Sequence, residues 1–310
     1  MDTGVSGRGR EGERRRFTDV RAGLYLLLLM GACAGATAQT ATVRYANDFF
    51  AGTDVYFTQG IYVGVDGPRR GFFLGQEGST PTDLSDPGLR PRDHPYAGTL
   101  YGGMRGRLWG DRAPEGRTWT YDVLLGLIGP AAKGEEQQTA IHRAIDDEVP
   151  LGWRHQVGNA LLLDVGLGLR QNLLDCRHLA LDALADARLG TFRTRLGAGA
   201  EVRAGWAGVV GFAKARTFLV GYDASLQGGL GRRDAHAFTF GEVRHVRGRL
   251  ELGVRVRVGR LGLSYGRAFE TRSFVGARRH GWGTVGLTVL AKAAPRSLVA
   301  VAGERWYREW

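Results

Sequence analysis

Arg249-Leu250-Glu251-Leu252-Gly253-Val254-Arg255-Val256-Arg257-Val258 is a stretch in which every even-numbered residue is aliphatic and every odd-numbered residue is charged or glycine. Side chains on a β-strand alternate between the two faces of the sheet, so this period of two predicts a strand with one aliphatic face and one charged face. Two architectures contain such strands. A soluble sandwich turns the aliphatic face inward, and a membrane barrel turns it outward.

The same alternation recurs along the chain after Gln39. The opposite faces carry Gly, Arg, Asp, Glu and Gln, the residue types of a crowded polar lumen. The residues assigned to the apolar faces are Trp119, Tyr121, Val123, Leu125 and Leu127; Leu196, Ala198, Ala200 and Val202; Phe218, Val220, Tyr222, Ala224 and Leu226; and Val285, Leu287 and Val289.

Strand length decides between the two architectures. The alternating segments run for roughly 10 to 14 residues, which suits a tilted bilayer crossing of about 9–11 residues better than a sandwich strand of about 5–6 residues. Aromatic residues fall where an interfacial girdle would use them, at Trp119, Tyr121, Tyr222 and Tyr265. The sequence therefore predicts an all-β fold, a transmembrane antiparallel β-barrel in the bacterial outer membrane.

Twelve segments can be counted, and a closed single-chain bacterial barrel needs an even number of strands. The predicted barrel domain spans residues 39–291, and residues 292–310 form a tail of unknown role. The segments are 41–50, 57–66, 70–77, 96–109, 117–128, 156–170, 175–189, 192–204, 217–231, 243–257, 260–272 and 279–291.

The N-terminus predicts export from the cytoplasm. Three arginines at 14–16 precede the short apolar run 24–30, and small residues follow up to Ala36-Thr37-Ala38. A basic flank, a short apolar core and an A-x-A ending describe a secretory signal peptide, so residues 1–38 are excluded from the fold. Cleavage before Cys33, as in a lipoprotein, is a weaker alternative. The remaining chain then contains one cysteine, Cys176, which excludes a disulfide scaffold.

Composition excludes several classes of function. The formal charge is +11, but the arginines are dispersed along strands rather than clustered, so nucleic acid is not an expected partner. The histidines do not have the HExxH spacing of a zinc protease. Ser264 lies in a G-x-S-x-G match, but its context is an alternating strand and not the strand-turn-helix elbow of a nucleophilic serine.

One segment, Gly134 to Glu148, has helical character in a chain of strands. Gln138 and His142 are four residues apart and would share a helix face, which Asp146 continues. A helix leaning on the barrel rim could present His142 as a general base. The alternative is a solvated loop helix with an exposed histidine.

A second polar cluster surrounds the first predicted hairpin. Asn47 and Asp48 end the first strand and Thr58 opens the second, so the hairpin brings an amide, a carboxylate and a hydroxyl together. Such a group can bind an oxyanion or a hard cation such as Ca²⁺, which prefers oxygen ligands. The alternative is ordinary turn chemistry, because Asn-Asp and Thr-Asp pairs are frequent in hairpins.

These motifs together resemble the outer-membrane lipid A 3-O-deacylases. The resemblance covers about residues 41–160. It implies a twelve-stranded barrel, monomeric, with a site near the outer-leaflet end that faces the cell exterior. It also implies Ca²⁺-dependent hydrolysis of the ester that holds the 3′-acyloxyacyl group of lipid A in lipopolysaccharide. The motifs are Asn47-Asp48, the segment 53–60, Asp93-His94-Pro95-Tyr96-Ala97-Gly98, Ile128-Gly129-Pro130, Gln138, His142, Pro150 and Trp153.

The resemblance implies roles for individual residues. It makes His142 the base and Glu148 the carboxylate that orients it, whereas the helix face favours Asp146 for that second role. It makes Asp48 a ligand of the Ca²⁺ ion. Asn47, Thr58 and Gln138 complete the implied catalytic set.

The chain departs from the family pattern at one position. Relatives often carry a lysine before the D-x-P-Y-A-G element, where this sequence offers only Arg90 and Arg92. Two alternatives to a lipid A deacylase remain open at the level of sequence: a porin-like or structural barrel without enzymatic activity, and a phospholipase barrel.

Overall fold

The structure is a computed structural model that describes residues 39–53, 55–108, 116–232, 234 and 236–291. The predicted signal peptide at 1–38 and the tail at 292–310 lie outside the described residues. The strands are β1 (Thr40–Asn47), β2 (Tyr56–Asp66), β3 (Arg70–Thr80), β4 (Ala97–Arg107), β5 (Arg117–Ile128), β6 (Ala160–Asp175), β7 (Leu179–Gly190), β8 (Arg193–Trp206), β9 (Val209–Asp223), β10 (Val246–Val258), β11 (Leu261–Glu270) and β12 (His280–Leu290).

The twelve strands form one closed antiparallel barrel, as the sequence predicts. Each strand pairs with its neighbours in the chain, and β1 closes the ring by pairing with β12 from Thr40↔Leu290 to Asn47↔Gly283. Closure removes the unpaired strand edges that an open sheet would expose. Two short helices interrupt the loops, α1 (Gly134–Ala144) and α2 (Ala224–Gln227). Neither these nor the 3-10 turns of the described chain are long and apolar enough to cross a membrane.

The two faces of the barrel wall differ as the alternation requires. Aliphatic side chains such as Leu125, Leu163 and Leu196 are exposed on the outside. The lumen is filled with buried ion pairs, because a buried charge is tolerated when it is paired and hydrogen-bonded. Examples are Arg105–Asp66 at 2.7 Å, Arg193–Glu77 at 2.8 Å, Arg203–Asp182 at 2.5 Å and Arg249–Glu270 at 2.7 Å.

The two ends of the barrel also differ. The end that contains the start of β1 and the end of β12 has short turns, for example 67–69, 176–178 and 259–260. The opposite end carries the longer connections 81–96, 129–159 and 224–245. At this long-loop end an aromatic cluster packs over the lumen, with Phe238 stacked on Phe274 at 4.5 Å and Tyr56 against Phe274 at 5.3 Å. The lumen is therefore covered on the side of the long loops.

The prediction for the ninth strand is wrong in its position along the chain and in the side chains that it assigns to the lipid face. The strand runs over Val209–Asp223 and not 217–231, because a two-residue turn with positive φ at Ala207 and Gly208 joins it directly to β8. Of the residues predicted to face lipid, Phe218, Val220, Ala224 and Leu226 are buried and Tyr222 is half-buried, whereas their neighbour Leu219 is 56% exposed. The ring of Phe218 lies under the guanidinium groups of three arginines, a cation–π arrangement that makes an aromatic suitable for this lumen. The arginines are Arg195 at 4.5 Å, Arg216 at 4.9 Å and Arg249 at 5.4 Å.

The same shift removes Tyr222 from the predicted girdle. Its hydroxyl donates to the main-chain oxygen of Gly228, and its ring packs against the buried core inside the barrel. Tyr265, by contrast, is exposed on the outer wall, as predicted.

Candidate active site

The turn after β1 lies on the outer wall of the barrel. Asn47 shares the outward face of β1 with Val43, whereas Arg44 and Ala46 point into the lumen. The 3-10 turn Asp48–Ala51 then folds back over β11 and β12. The hydroxyl of Tyr265 donates to the Phe50 carbonyl at 3.1 Å. Gly283 allows this approach, since a Cβ there would lie 2.4 Å from the Cβ of Phe50.

The side chain of Asn47 is engaged within this turn. Its Oδ1 accepts from the main-chain N–H of Phe49 at 2.8 Å, and its Nδ2 donates to the hydroxyl of Tyr45 at 3.2 Å. This is the capping arrangement that favours Asn before a helical turn. Asp48, the next residue, is buried.

Helix α1 lies on the same outer wall, across β2, β3 and β4. Gly98 of β4 and Gly134 of α1 are in backbone contact, and a Cβ at Gly98 would lie 3.0 Å from the Cα of Gly134. Gln59 on β2 donates to the Oε1 of Gln137 at 2.8 Å, and Gln76 on β3 donates to the Ala132 carbonyl at 2.8 Å. These contacts fix the helix on the outside of the barrel, toward the long-loop end.

The helix ends earlier than the predicted Glu148, at Ala144. Asp146 adopts a left-handed conformation with φ 56°, and the N–H of Asp147 donates back to the carbonyl of His142 at 2.8 Å. This is the Schellman ending, in which the left-handed residue reverses the chain direction. The reversal brings Glu148 back beside His142.

His142 is held by the main chain of this turn. Its Nδ1 lies 2.5 Å from the carbonyl oxygen of Glu148, and 3.8 Å from a carboxylate oxygen of Asp147. A carbonyl oxygen can only accept a hydrogen bond, so this contact assigns the proton to Nδ1 and leaves Nε2 as the ring nitrogen that can accept a proton. The exposed carboxylate of Glu148 does not make this contact, and Asp146 serves as the left-handed residue of the turn.

Gln138 lies one helical turn before His142, as predicted, and is buried. Its Oε1 accepts from the indole Nε1 of Trp153 at 2.7 Å. This contact fixes the orientation of the amide. The Nε2 group of Gln138 is buried and has no hydrogen-bond partner among the residues that the structure describes. An amide N–H group in that state is available to a bound ligand.

Thr58 occupies a β-bulge of β2, between Phe57 and Gln59 in the pairing with β3. Its hydroxyl is buried and lies 2.6 Å from the hydroxyl of Thr80. Thr58 is adjacent to Gln59, which bonds to Gln137 of α1. Helix α1 and the turn that ends it bring Gln138, His142 and Glu148 together, and Asn47 and Asp48 lie in the turn after β1, the strand that pairs with β2.

The oxygen donors of this wall suit a hard cation such as Ca²⁺ in chemical type. Asp48 offers a carboxylate, Thr58 and Thr80 offer hydroxyls, and no thiolate lies in the set. Within the described part of the chain, no group of three or more His, Cys, Asp and Glu side chains is arranged to hold a metal ion. A cation here would therefore keep several ligands from water or substrate.

The two arginines before the D-x-P-Y-A-G element, Arg90 and Arg92, differ in their contacts and exposure. Arg90 is engaged by three carboxylates of its own loop: Asp83 at 2.9 Å, Asp86 at 3.0 Å and Asp93 at 3.5 Å. It stabilises the 81–96 loop. Arg92 is exposed.

A comparison with protein-family models identifies the family of the chain. The family model described as "Outer membrane protein LpxR" matches residues 23–208 and 206–290. The chain belongs to the LpxR family. This confirms the family that the motifs predict, and it identifies the barrel as an outer-membrane protein. No curated protein sequence matches the chain.

Solved structures agree with the LpxR fold. LpxR from Salmonella typhimurium is similar with a TM-score of 0.71 and 18% identity, over 81% of this chain and 99% of that chain. At this identity the likeness shows the fold alone. The β domain of the Bordetella autotransporter BrkA has a TM-score of 0.46 and 13% identity, over 82% and 99% of the two chains. The KdgM porin has a TM-score of 0.39 and 5% identity, over 81% of this chain and 98% of that chain. These two values are too low to carry an argument.

Several residues that build this site were not predicted as functional. Gln59 and Gln137 join the helix to the barrel, Thr80 partners Thr58, and Trp153 fixes Gln138. Gln59 and Trp153 lie in the quoted motifs, so a signal existed for them. Thr80 has no such signal in the sequence, because only the register of the β2–β3 bulge brings it to Thr58.

Proposed function

We propose that this protein is a lipid A deacylase that hydrolyses the ester of the 3′-acyloxyacyl group. The observation that carries the proposal is the position of Gln138 and His142 on the outer wall of the barrel, at the long-loop end. A group in that position meets lipids, whereas a solute passing through a channel would meet the lumen. Long loops face the exterior in bacterial outer-membrane barrels, so the site would face the outer leaflet, where lipopolysaccharide resides.

His142 acts as the general base in this proposal. Its Nε2 takes a proton from a water molecule as the water oxygen attacks the ester carbonyl carbon. The tetrahedral intermediate then collapses, the bond from the carbonyl carbon to the sugar oxygen breaks, and the protonated imidazole returns its proton to that oxygen. The products are a fatty acid and a free sugar hydroxyl. Glu148 holds the imidazole through its main-chain oxygen.

Gln138 contributes to the stabilisation of the oxyanion. Its Nε2 group is a buried donor beside the base, fixed in direction by Trp153. Donors that are oriented before the reaction stabilise the developing charge without reorganisation. A bound Ca²⁺ ion would add positive charge to the same oxyanion, with Asp48 as its carboxylate ligand and Asn47 and Thr58 as further oxygen donors.

The porin-like alternative is less well supported. Buried ion pairs cross the lumen, and the aromatic cluster around Phe274 covers its long-loop end.

Hydrolysis by the purified barrel in mixed micelles tests the proposal. Micelles containing lipid A should release fatty acid, and micelles containing phosphatidylethanolamine should not. His142→Ala should lose about 10²–10⁴-fold in rate. His178→Ala is the matched control, since His178 is exposed in the turn between β6 and β7 at the opposite end. Equal rates for wild type and His142→Ala would refute the mechanism. Release from phosphatidylethanolamine alone would favour a phospholipase.

A further inference from the structure

The lumen contains a cavity separate from the outer-wall site. Its volume is about 220 Å³, which is room for several water molecules. Eight Arg and Lys side chains and four Asp and Glu side chains line it, a formal surplus of four positive charges. Part of this surplus is balanced by carboxylates behind the lining, since Arg195 lies 3.6 Å from Asp186 and Arg255 lies 3.5 Å from Glu201. The four carboxylates each lie within an ion pair with a lining base: Arg193–Glu77, Lys214–Glu251, Arg247–Asp223 and Arg249–Glu270.

Three polar side chains at the long-loop end of this cavity have atoms without a hydrogen-bond partner. They are Nη2 of Arg247, Oγ of Ser273 and Nδ1 of His280, considering all residues within the described ranges. The three residues are only 6%, 5% and 9% exposed, respectively, and all three line the cavity. Leaving buried polar groups unpaired costs free energy, so such groups are normally matched by a ligand, an ion or water.

The three side chains belong to one neighbourhood. The Nε of Arg247 donates to the carbonyl of Arg244 at 3.1 Å, and the N–H of Arg244 donates to the carbonyl of Ser273 at 2.9 Å. His280 is within electrostatic range of Arg247, Arg249 and Glu270. Two carboxylates approach this group, but Asp223 is already bonded to Nη1 of Arg247 and Glu270 to Arg249.

The available atoms are suited to an anion. A guanidinium can only donate hydrogen bonds, a hydroxyl can donate one, and a neutral imidazole nitrogen donates in one tautomer. Arginine matches the geometry of phosphate and carboxylate oxygens. We propose that the long-loop end of this cavity is a binding site for a phosphate group, held by Arg247, Ser273 and His280. The site does not use His142 and is independent of the proposed hydrolysis.

Calorimetric titration of the purified barrel with inorganic phosphate, in zwitterionic detergent at constant ionic strength, tests this site. Wild type should bind phosphate saturably, and His142→Ala should bind it with the same affinity. Ser273→Ala should weaken binding about 2- to 10-fold, as expected for one neutral hydrogen bond. Ser273→Asp should weaken it by more than about tenfold, because it sets a carboxylate beside Arg247. Arg70→Gln is the matched control, an exposed arginine at the opposite end of the barrel.

Arg247→Gln should abolish binding. If Arg247→Gln does not fold because Asp223 has lost its ion-pair partner, Ser273→Asp provides the test, since that variant keeps the Arg247–Asp223 ion pair. Mixed micelles with phosphatidylglycerol distinguish the source of the phosphate: competition identifies a lipid headgroup, and no competition identifies the free ion. Absence of saturable phosphate binding, or equal binding by wild type and Ser273→Asp, would overturn the proposal.

Discussion

The turn after helix α1 offers a sharp test of how His142 is held. The Schellman ending places Asp146 at φ 56° and directs the Glu148 carbonyl to Nδ1 of His142 at 2.5 Å. The left-handed conformation costs most residues with a Cβ about 1–2 kcal/mol; Asp adopts it more readily because its short polar side chain can hydrogen-bond locally, and a β-branched side chain tolerates it worst. Asp146→Val should therefore reduce the fraction of molecules with a closed turn, whereas Asp146→Gly should preserve it.

The size of the effect follows from that strain. A penalty of about 1–2 kcal/mol lowers the ratio of closed to open turns by about 5- to 30-fold, and the closed fraction by about 3- to 15-fold when the two states are equally populated in the wild type. The hydrolysis rate of Asp146→Val should fall by up to that factor, less than the loss expected for His142→Ala. Glu148→Ala should keep most of the activity, because alanine supplies the same main-chain oxygen.

Initial rates of fatty acid release from lipid A micelles measure these variants. Heat-modifiable migration on gels checks that each barrel is folded, which we expect because the turn lies outside the strands. The reasoning would be refuted if Glu148→Ala lost as much activity as His142→Ala. That result would assign the orienting role to the Glu148 carboxylate, as the family resemblance implies.

Three further predictions concern the cation, the helix and pH. EGTA should abolish hydrolysis and added Ca²⁺ should restore it, whereas full activity in EGTA would eliminate the cation from the mechanism. Gly98→Val should push α1 away from the wall and lower the hydrolysis rate by at least about tenfold, with Gly211→Ala, whose Cβ would meet only ordinary contacts, as the control. Burial lowers the pKa of His94 to about 4 from 6.5, so the unfolded chain takes up a proton first as pH falls. The free energy of unfolding should fall by about 3 kcal/mol at most between about pH 6.5 and 4. Urea unfolding should show a smaller fall for His94→Gln than for the wild type. Identical pH profiles for the two proteins would contradict this role of His94.

Alternation predicted the barrel because most outward side chains are apolar and most inward ones are polar or small. The ninth strand failed this reasoning, since arginines in the lumen pack against aromatic rings. Phe218 is a good lumen residue for that reason, but hydropathy alone assigns it to lipid. The turn at Ala207–Gly208 has no Asn or Asp to mark it as a hairpin.

Part of the candidate site could be predicted from the spacing of side chains in the sequence. Gln138 and His142 are four residues apart, and this spacing alone indicates that they share a helix face. The contact of His142 with residue 148 is made by a main-chain oxygen, so neither Asp146 nor Glu148 could be selected from side-chain chemistry. The position of α1 on the outside of the wall depends on Gly98 and Gln59, whose contacts arise only when β2, β3 and β4 are assembled.

Mass spectrometry of lipid A from an outer-membrane-bearing bacterium that expresses this protein tests the central claim most directly. Expression of the wild type should yield lipid A lighter by one acyloxyacyl group, and expression of His142→Ala should leave the lipid A intact at equal protein level in the outer membrane. Unchanged lipid A with the folded wild-type protein, or the same loss of mass with His142→Ala, would contradict the account.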